Sequence, residues 1–256
     1  MGLEPMKKII LVSVVAAGLL PGAAWAADLP VAPAVSYVRP APAALLYNWG
    51  GFYIGGNGGW GTSHKCWDSA GTVAAPINPF LADGCHDASG GTVGGQFGYR
   101  WQYTYVVLGV EGQGNWADFT GSNPSVLLPG NSNATKVDAF GFLTMHVGYA
   151  WDNVLLYVKG GAAAAHDKYS FGPTGVGFPT GTASETRWGG VVGVGIEFGF
   201  APNWSLAVEY DHAFLGARNI TFAAAPLQPV NHISQDLDVV TARINYRFGG
   251  PVYAKY

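Results

Sequence analysis

The sequence predicts an all-β fold, an eight-stranded antiparallel up-and-down transmembrane β-barrel with short periplasmic turns and four long extracellular loops. Three observations carry that expectation. Residues 91–101, 106–116, 188–198 and 239–248 each place their mid-strand charges on one alternating face and apolar side chains on the other. In the last, Val240, Ala242, Ile244, Tyr246 and Phe248 oppose Thr241, Arg243, Asn245 and Arg247. Period-two alternation marks a strand with different solvents on its two sides. Secondly, charged residues make up only 11% of the 256 residues, against about a quarter in soluble domains, so much of the surface faces something other than water. Past the N-terminus no stretch offers the roughly 20 apolar residues of a spanning helix, which leaves the closed barrel as the way through a bilayer. Thirdly, the segments between strands alternate between long and short.

The N-terminus reads as an export signal over residues 1–26. Lys7 and Lys8 form the positive region, residues 9–20 the apolar region, and Ala24-Trp25-Ala26 the small-x-small cleavage pattern. Residues 27–49 are rich in Pro and Ala, including Pro30, Pro33, Pro40 and Pro42, and read as an extended periplasmic spacer. The barrel is expected over residues 50–248, followed by a short tail, 249–256.

Strands are expected at 51–62, 91–102, 105–117, 136–150, 154–165, 186–200, 204–211 and 239–248. The first alternates Phe52, Ile54 and Trp60 with Tyr53 and Asn57, and the second sets Val93, Phe97, Tyr99 and Trp101 against Gln96 and Arg100. In the third, Leu108, Val110 and Trp116 oppose Glu111, Gln113 and Asn115; in the fourth, Val137, Leu143, Met145 and Val147 oppose Asp138, Thr144 and His146. Lys159 sets the inward parity of the fifth, Arg187 and Glu197 that of the sixth, and Glu209 and Asp211 that of the seventh. Long loops are expected at 63–90, 118–135, 166–185 and 212–234. An even strand number and an exported spacer put both termini on the periplasmic side. Trp60, Trp116, Trp188 and Tyr210 cluster near the long-loop ends, and Tyr99, Trp101, Tyr149, Trp151, Phe198 and Trp204 near the short turns. Two such girdles match the two headgroup layers.

Trp49-Gly50-Gly51-Phe52-Tyr53-Ile54-Gly55-Gly56-Asn57-Gly58-Gly59 resembles the first-strand signature of alphaproteobacterial, rhizobial-type outer-membrane proteins of the porin family, small OmpA-like eight-stranded barrels. Val147-Gly148-Tyr149-Ala150-Trp151-Asp152 and Leu155-Leu156-Tyr157-Val158-Lys159-Gly160-Gly161 are similar to its central hairpin, and Ile244-Asn245-Tyr246-Arg247-Phe248 to its closing strand. The resemblance implies an integral outer-membrane protein that strengthens the envelope and displays loops at the cell surface. It implies contact with outer-membrane lipid and lipopolysaccharide, and with peptidoglycan or host surfaces. Tyr246 and Phe248 would be read by the barrel-assembly machinery. The chain runs eight residues past Phe248, and Thr144 and His146 stand where the family often carries inward arginines.

Two constellations invite chemistry. Cys66 and Cys85 lie in the first expected loop as His64-x-Cys66 and Cys85-His86. They suit either a Cys2His2 zinc site or a disulfide, and an oxidising compartment with an even cysteine count favours the disulfide. Arg100, Glu111, Asp138, Lys159, Arg187, Glu197, Glu209, Arg243 and Arg247 point inward by parity. Glu197 and Glu209 could serve as an acid–base pair, but charges in a narrow lumen need partners whatever their function. No GxSxG elbow or phosphate loop is present. A non-catalytic reading without a cofactor is expected, with a small-solute or ion pore and a lipid-modifying enzyme as alternatives. The net charge of −3 gives no basis for nucleic-acid binding.

Overall fold

The computed structural model describes residues 47–173, 181–223 and 228–249. The expected signal peptide, most of the spacer and most of the tail lie outside the described residues. Eight strands follow one another: β1 (Gly51–Thr72), β2 (Pro76–Tyr103), β3 (Val106–Pro124), β4 (Asn131–Trp151), β5 (Val154–Pro173), β6 (Gly181–Ala201), β7 (Trp204–Thr221) and β8 (Pro229–Arg247). Each pairs antiparallel with its neighbours in sequence, and β1 pairs with β8 to close the ring. Closure pairs every strand edge through the lower part of the ring, which a sheet in hydrocarbon requires. Tight turns join β2 to β3, β4 to β5 and β6 to β7, with Thr104 and Asp152 at positive φ in the first two.

The long loops expected from the sequence are largely strand. β1 and β2 stay paired far beyond Trp60, so only residues 73–75 separate them, and residues 125–130 separate β3 from β4. The 28 residues of β2, at ~3.3 Å each and a tilt of ~40°, would rise about 70 Å, far more than the ~25 Å apolar height of a bilayer. The barrel is therefore far longer than such an apolar band, and its upper part is a paired extension.

In the lower half the expected sidedness holds: Phe97 (67% exposed), Met145 (71%) and Leu143 (68%) face outward, while Arg243 and Glu197 are buried inside. Higher up, a bulge resets the parity of β4, while β3 keeps its odd-numbered residues inward from Asn115 to Phe119. On β3 and β4 the register shifts between Trp116 and Phe119 and between Val137 and Ala139. One extra residue exchanges the two faces of everything beyond it. This corrects the expectation for Asp138. Val137 is fully buried, whereas Asp138 sits at the bulge and pairs outside the barrel with Lys168 at 2.5 Å. A similar shift between Phe214 and Gly216 turns Ile220 inward on β7.

The interior is layered. At the turn end, Trp49, Val107, Ala150, Leu155 and Tyr157 form an apolar base with Tyr47 packed against it. The described end of the expected spacer is thus part of the barrel's packing. A charged and amide layer lies above. Next comes a cluster around Phe119, Val137, Phe140, Phe142, Leu215 and Leu237, and finally an aromatic cap of Trp67, Tyr169, Ile220, Phe222 and Ile233.

Candidate functional site: an ion-paired lumen

The charged layer is built from strands on opposite sides of the ring. Arg100 of β2 reaches across to Glu197 of β6, donating from its two terminal nitrogens at 2.7 and 3.1 Å. In an eight-strand ring these two strands are diametrically opposed. Glu197 also accepts from Ser205 and from Asn245 at 3.0 Å. Beside this pair, Arg243 of β8 bridges Glu111 of β3 at 2.7 Å and Glu209 of β7. Lys159 of β5 completes the set, 2.7 Å from Glu209, 3.0 Å from Asp211 and 3.8 Å from Glu111.

Two tyrosines finish the network. The Tyr53 hydroxyl donates to Glu111 and the Tyr157 hydroxyl to Glu209, each at 2.6 Å. Both rings need a glycine beside them. Gly98, opposite Tyr53, and Gly195, opposite Tyr157, would put a Cβ 2.7 and 2.4 Å from ring carbons. A glycine facing inward therefore becomes the seat for a neighbouring ring, which then reaches the carboxylate. Above the ions, Gln96 donates to Asn245, and Asn57, Gln96 and Asn115 are linked by further amide hydrogen bonds. These groups are buried, so each charge must be paired because desolvating it alone costs several kcal/mol.

Six of the residues expected in a lumenal network come together: Arg100, Glu111, Lys159, Glu197, Glu209 and Arg243. Arg187 and Arg247 point inward but lie elsewhere. Arg187 sits in the extension, 2.9 Å from Glu185, and donates to the carbonyls of Gly216 and Ile233. There it stitches a seam, since the β6–β7 ladder stops at Gly190 and Phe214 and resumes only as a single bridge between Thr182 and Ala223. Arg247 caps the turn end, donating to the carbonyls of Gly50 and Pro202. Glu197 and Glu209 do not form an acid–base pair around an open cleft, because each is saturated by its own cation. Sequence parity does not reveal the roles of Tyr53, Tyr157, Ser205 and Asn245. The one available signal was the glycine opposite each tyrosine.

A second ion pair lies in the extension, where Lys65 donates to Asp167 at 2.6 Å, both side chains wholly buried. Burial holds the Lys65 ammonium down to about 8 despite that carboxylate. Cys66 and Cys85 face each other across β1 and β2 and are joined in a disulfide, with Cα atoms 4.1 Å apart. His64 lies beside them, its Nδ1 2.6 Å from Asp87. His86 turns inward instead, to Asn123 and Thr135. The four candidate zinc ligands are therefore split between the two faces of the wall, and their sulfurs are bonded to each other.

A closed antiparallel ring, apolar outside and ion-paired within, defines an integral membrane β-barrel. Comparison with known proteins agrees. The family model for the outer membrane protein beta-barrel domain matches residues 14–248, and the chain belongs to that family. It is 32% identical over 233 residues to the 31 kDa outer-membrane immunogenic protein of Brucella melitensis, covering 84% of this chain and 90% of that one, and equally so to that of Brucella suis. The crystal structure of OprG from Pseudomonas aeruginosa matches 80% of this chain and all of its own at a TM-score of 0.53 and 14% identity, a likeness of fold. The protein is an integral outer-membrane β-barrel.

Proposed function

We propose that the barrel is a non-catalytic structural element of the outer membrane, which stiffens the envelope and presents its extension at the cell surface. The observation that carries this reading is the Arg100–Glu197 pair crossing the bore between opposed strands. With Arg243 and Lys159 beside it, the layer occupies the width of a barrel whose interior side chains just fill. Solutes would have to break several buried ion pairs to pass. In this reading the N-terminal signal and spacer deliver the chain to the periplasm and both termini remain there. Tyr246 and the outward Phe248 (55% exposed) present the terminal aromatic pattern to the assembly machinery. Partners on the periplasmic side would be peptidoglycan, and on the outer side host surfaces.

Planar-bilayer recording tests the closed lumen. The wild-type protein should give no reproducible unitary steps, while Arg100→Ala together with Glu197→Ala should produce them. Steps from the wild type that change size with either charge would establish a pore instead.

A further inference from the structure

The outer wall of the extension carries a chemical grouping that neither the ion-paired lumen nor the apolar packing uses. His64, Cys66, Cys85 and Asp87 all face outward on β1 and β2, where His64 pairs with Asp87 and Cys66 with Cys85 across the ladder. The His64 ring is held at both nitrogens. Its Nδ1 lies 2.6 Å from Asp87 Oδ1, and its Nε2 lies 3.6 Å from Cys66 Sγ. A carboxylate only accepts, so Nδ1 donates to Asp87, and in the imidazolium form the second N–H is aimed at the Cys66 sulfur. A cation beside a sulfur favours the thiolate over the thiol.

The two sulfurs differ in access. Cys85 is exposed, whereas Cys66 is only partly so. The β2–β3 ladder ends at Ser89 and Thr120, so no paired residue of β3 stands against Cys85 on the side away from Cys66. Exchange proceeds by attack of a thiolate on one sulfur in line with the departing one, and it is faster when the departing thiolate is stabilised. Attack on the accessible Cys85 expels Cys66, the sulfur to which the His64 ring is hydrogen-bonded.

We propose that Cys66–Cys85 is an exchangeable disulfide that captures a low-molecular-weight thiol on Cys85, with His64 stabilising the departing Cys66 and Asp87 positioning His64. The incoming thiolate, its proton already lost to water, forms a bond to Cys85 Sγ. The Cys66–Cys85 bond breaks, and its electron pair leaves on Cys66 Sγ as a thiolate facing the imidazolium. The incoming thiol is oxidised to the mixed disulfide and Cys66 is reduced, so no other oxidant is required.

The folded protein in detergent micelles is exposed to reduced glutathione, free thiols are capped with a pulse of N-ethylmaleimide, and both adducts are located by peptide mass spectrometry. Glutathione should be found on Cys85 and maleimide on Cys66. His64→Gln should slow capture about tenfold near pH 6, and Asp87→Asn should lose most of the same advantage. Comparing variants at equal pH cancels the ionisation of glutathione itself. The ratio of wild-type to His64→Gln rates should then fall towards one by about pH 8, across the range in which an imidazole loses its proton. The charged groups facing His64 are Asp87 and its β8 ladder partner Asp236, while Asp238, two residues on, is engaged by Tyr210 and His212. His212→Gln should therefore keep the wild-type profile. Heat-modifiable migration on a gel confirms that each variant is folded. Glutathione found mainly on Cys66, or equally on both, overturns the direction of attack. A ratio that does not change with pH, or no slowing by His64→Gln, overturns the role of His64. A wild-type disulfide inert to millimolar glutathione overturns the site.

Discussion

The lower and upper halves of this barrel solve opposite solvation problems with one continuous sheet. Below the girdle of Trp60, Trp116 and Trp188, outward side chains are apolar, and the charged and amide layer lies inside, over the apolar base at the turn end. Above it, Lys136, Lys168, His64 and Asp87 point out, while Trp67, Tyr169, Phe222 and Ile233 pack within. The lower half is arranged for lipid and the upper half like a water-soluble barrel. Most strands carry one parity through the change, with odd-numbered residues inward on β3, β5, β6 and β8 and on β1 as far as Trp67, so it is the chemistry of the residues on each face that inverts; β4 at Asp138 and β7 near Leu215 also exchange faces at a bulge. Where β4 and β7 do exchange faces, one extra residue is enough, because a strand has two faces and a fixed period. Stability should therefore depend on different interactions in the two halves, ion pairing below and apolar packing above.

The largest expected effects break each half in its own way. Glu197→Ala leaves the buried Arg100 without its carboxylate and should cost about 3–5 kcal/mol, whereas replacing both by leucine should cost much less. Phe119→Ala, at a fully buried site in the upper apolar cluster, should also cost about 3–5 kcal/mol through the cavity it leaves. Denaturant unfolding in phosphocholine vesicles, followed by tryptophan fluorescence, measures both. If Glu197→Ala cost no more than the double leucine variant, the lower half would not depend on charge pairing.

A smaller effect tests sidedness directly. Val194→Arg, facing lipid at mid-height on β6, should cost about 2–4 kcal/mol. Ala82→Arg, exposed in the extension of β2, should stay within about 0.5 kcal/mol. Equal costs in vesicles would place lipid against both halves and remove the distinction between them.

The lower half was legible from the sequence, because lipid outside and ions inside force the alternation seen at Val240–Phe248 and the girdles at Trp116 and Trp188. Arg100, Glu111, Lys159, Glu197, Glu209 and Arg243 could be set inward by parity alone. Which of them meet could not, since a contact such as Arg100 with Glu197 depends on strand position around the ring, not on spacing along the chain. The upper half was read as loop for a physical reason. Its outward positions are polar, its bulges break the period, and glycines such as Gly71, Gly84 and Gly216 look like turn residues while sitting at positive φ within or beside paired strands. Asp138 was misplaced by the same bulge that turns Val137 inward. Water outside the extension removes the requirement for apolar residues there, and with it the pattern that announced the strands below.

The smallest expected effect separates the two halves by pH. Lys65 and Asp167 form the buried pair of the extension, and burial lowers the Lys65 pKa from 10.5 to about 8. Between these values the unfolded chain binds the proton and the folded one has begun to release it. The unfolded state therefore holds more protons, and unfolding free energy contributed by this residue rises with pH from about 8 to about 10.5. Below pH 8 the cost of burying the ammonium is fully present. Lys65→Met combined with Asp167→Leu removes both charges from an apolar site, so it should be neutral or stabilising near pH 7. Against that variant, the wild type should gain on the order of 1 kcal/mol across the window. The comparison is best made on unfolding midpoints at matched ionic strength, because tyrosines titrating near the top of the range affect both proteins alike. Parallel pH profiles would mean that the ammonium is solvated in the folded state, and that the extension is not the dry, lipid-free core its packing describes.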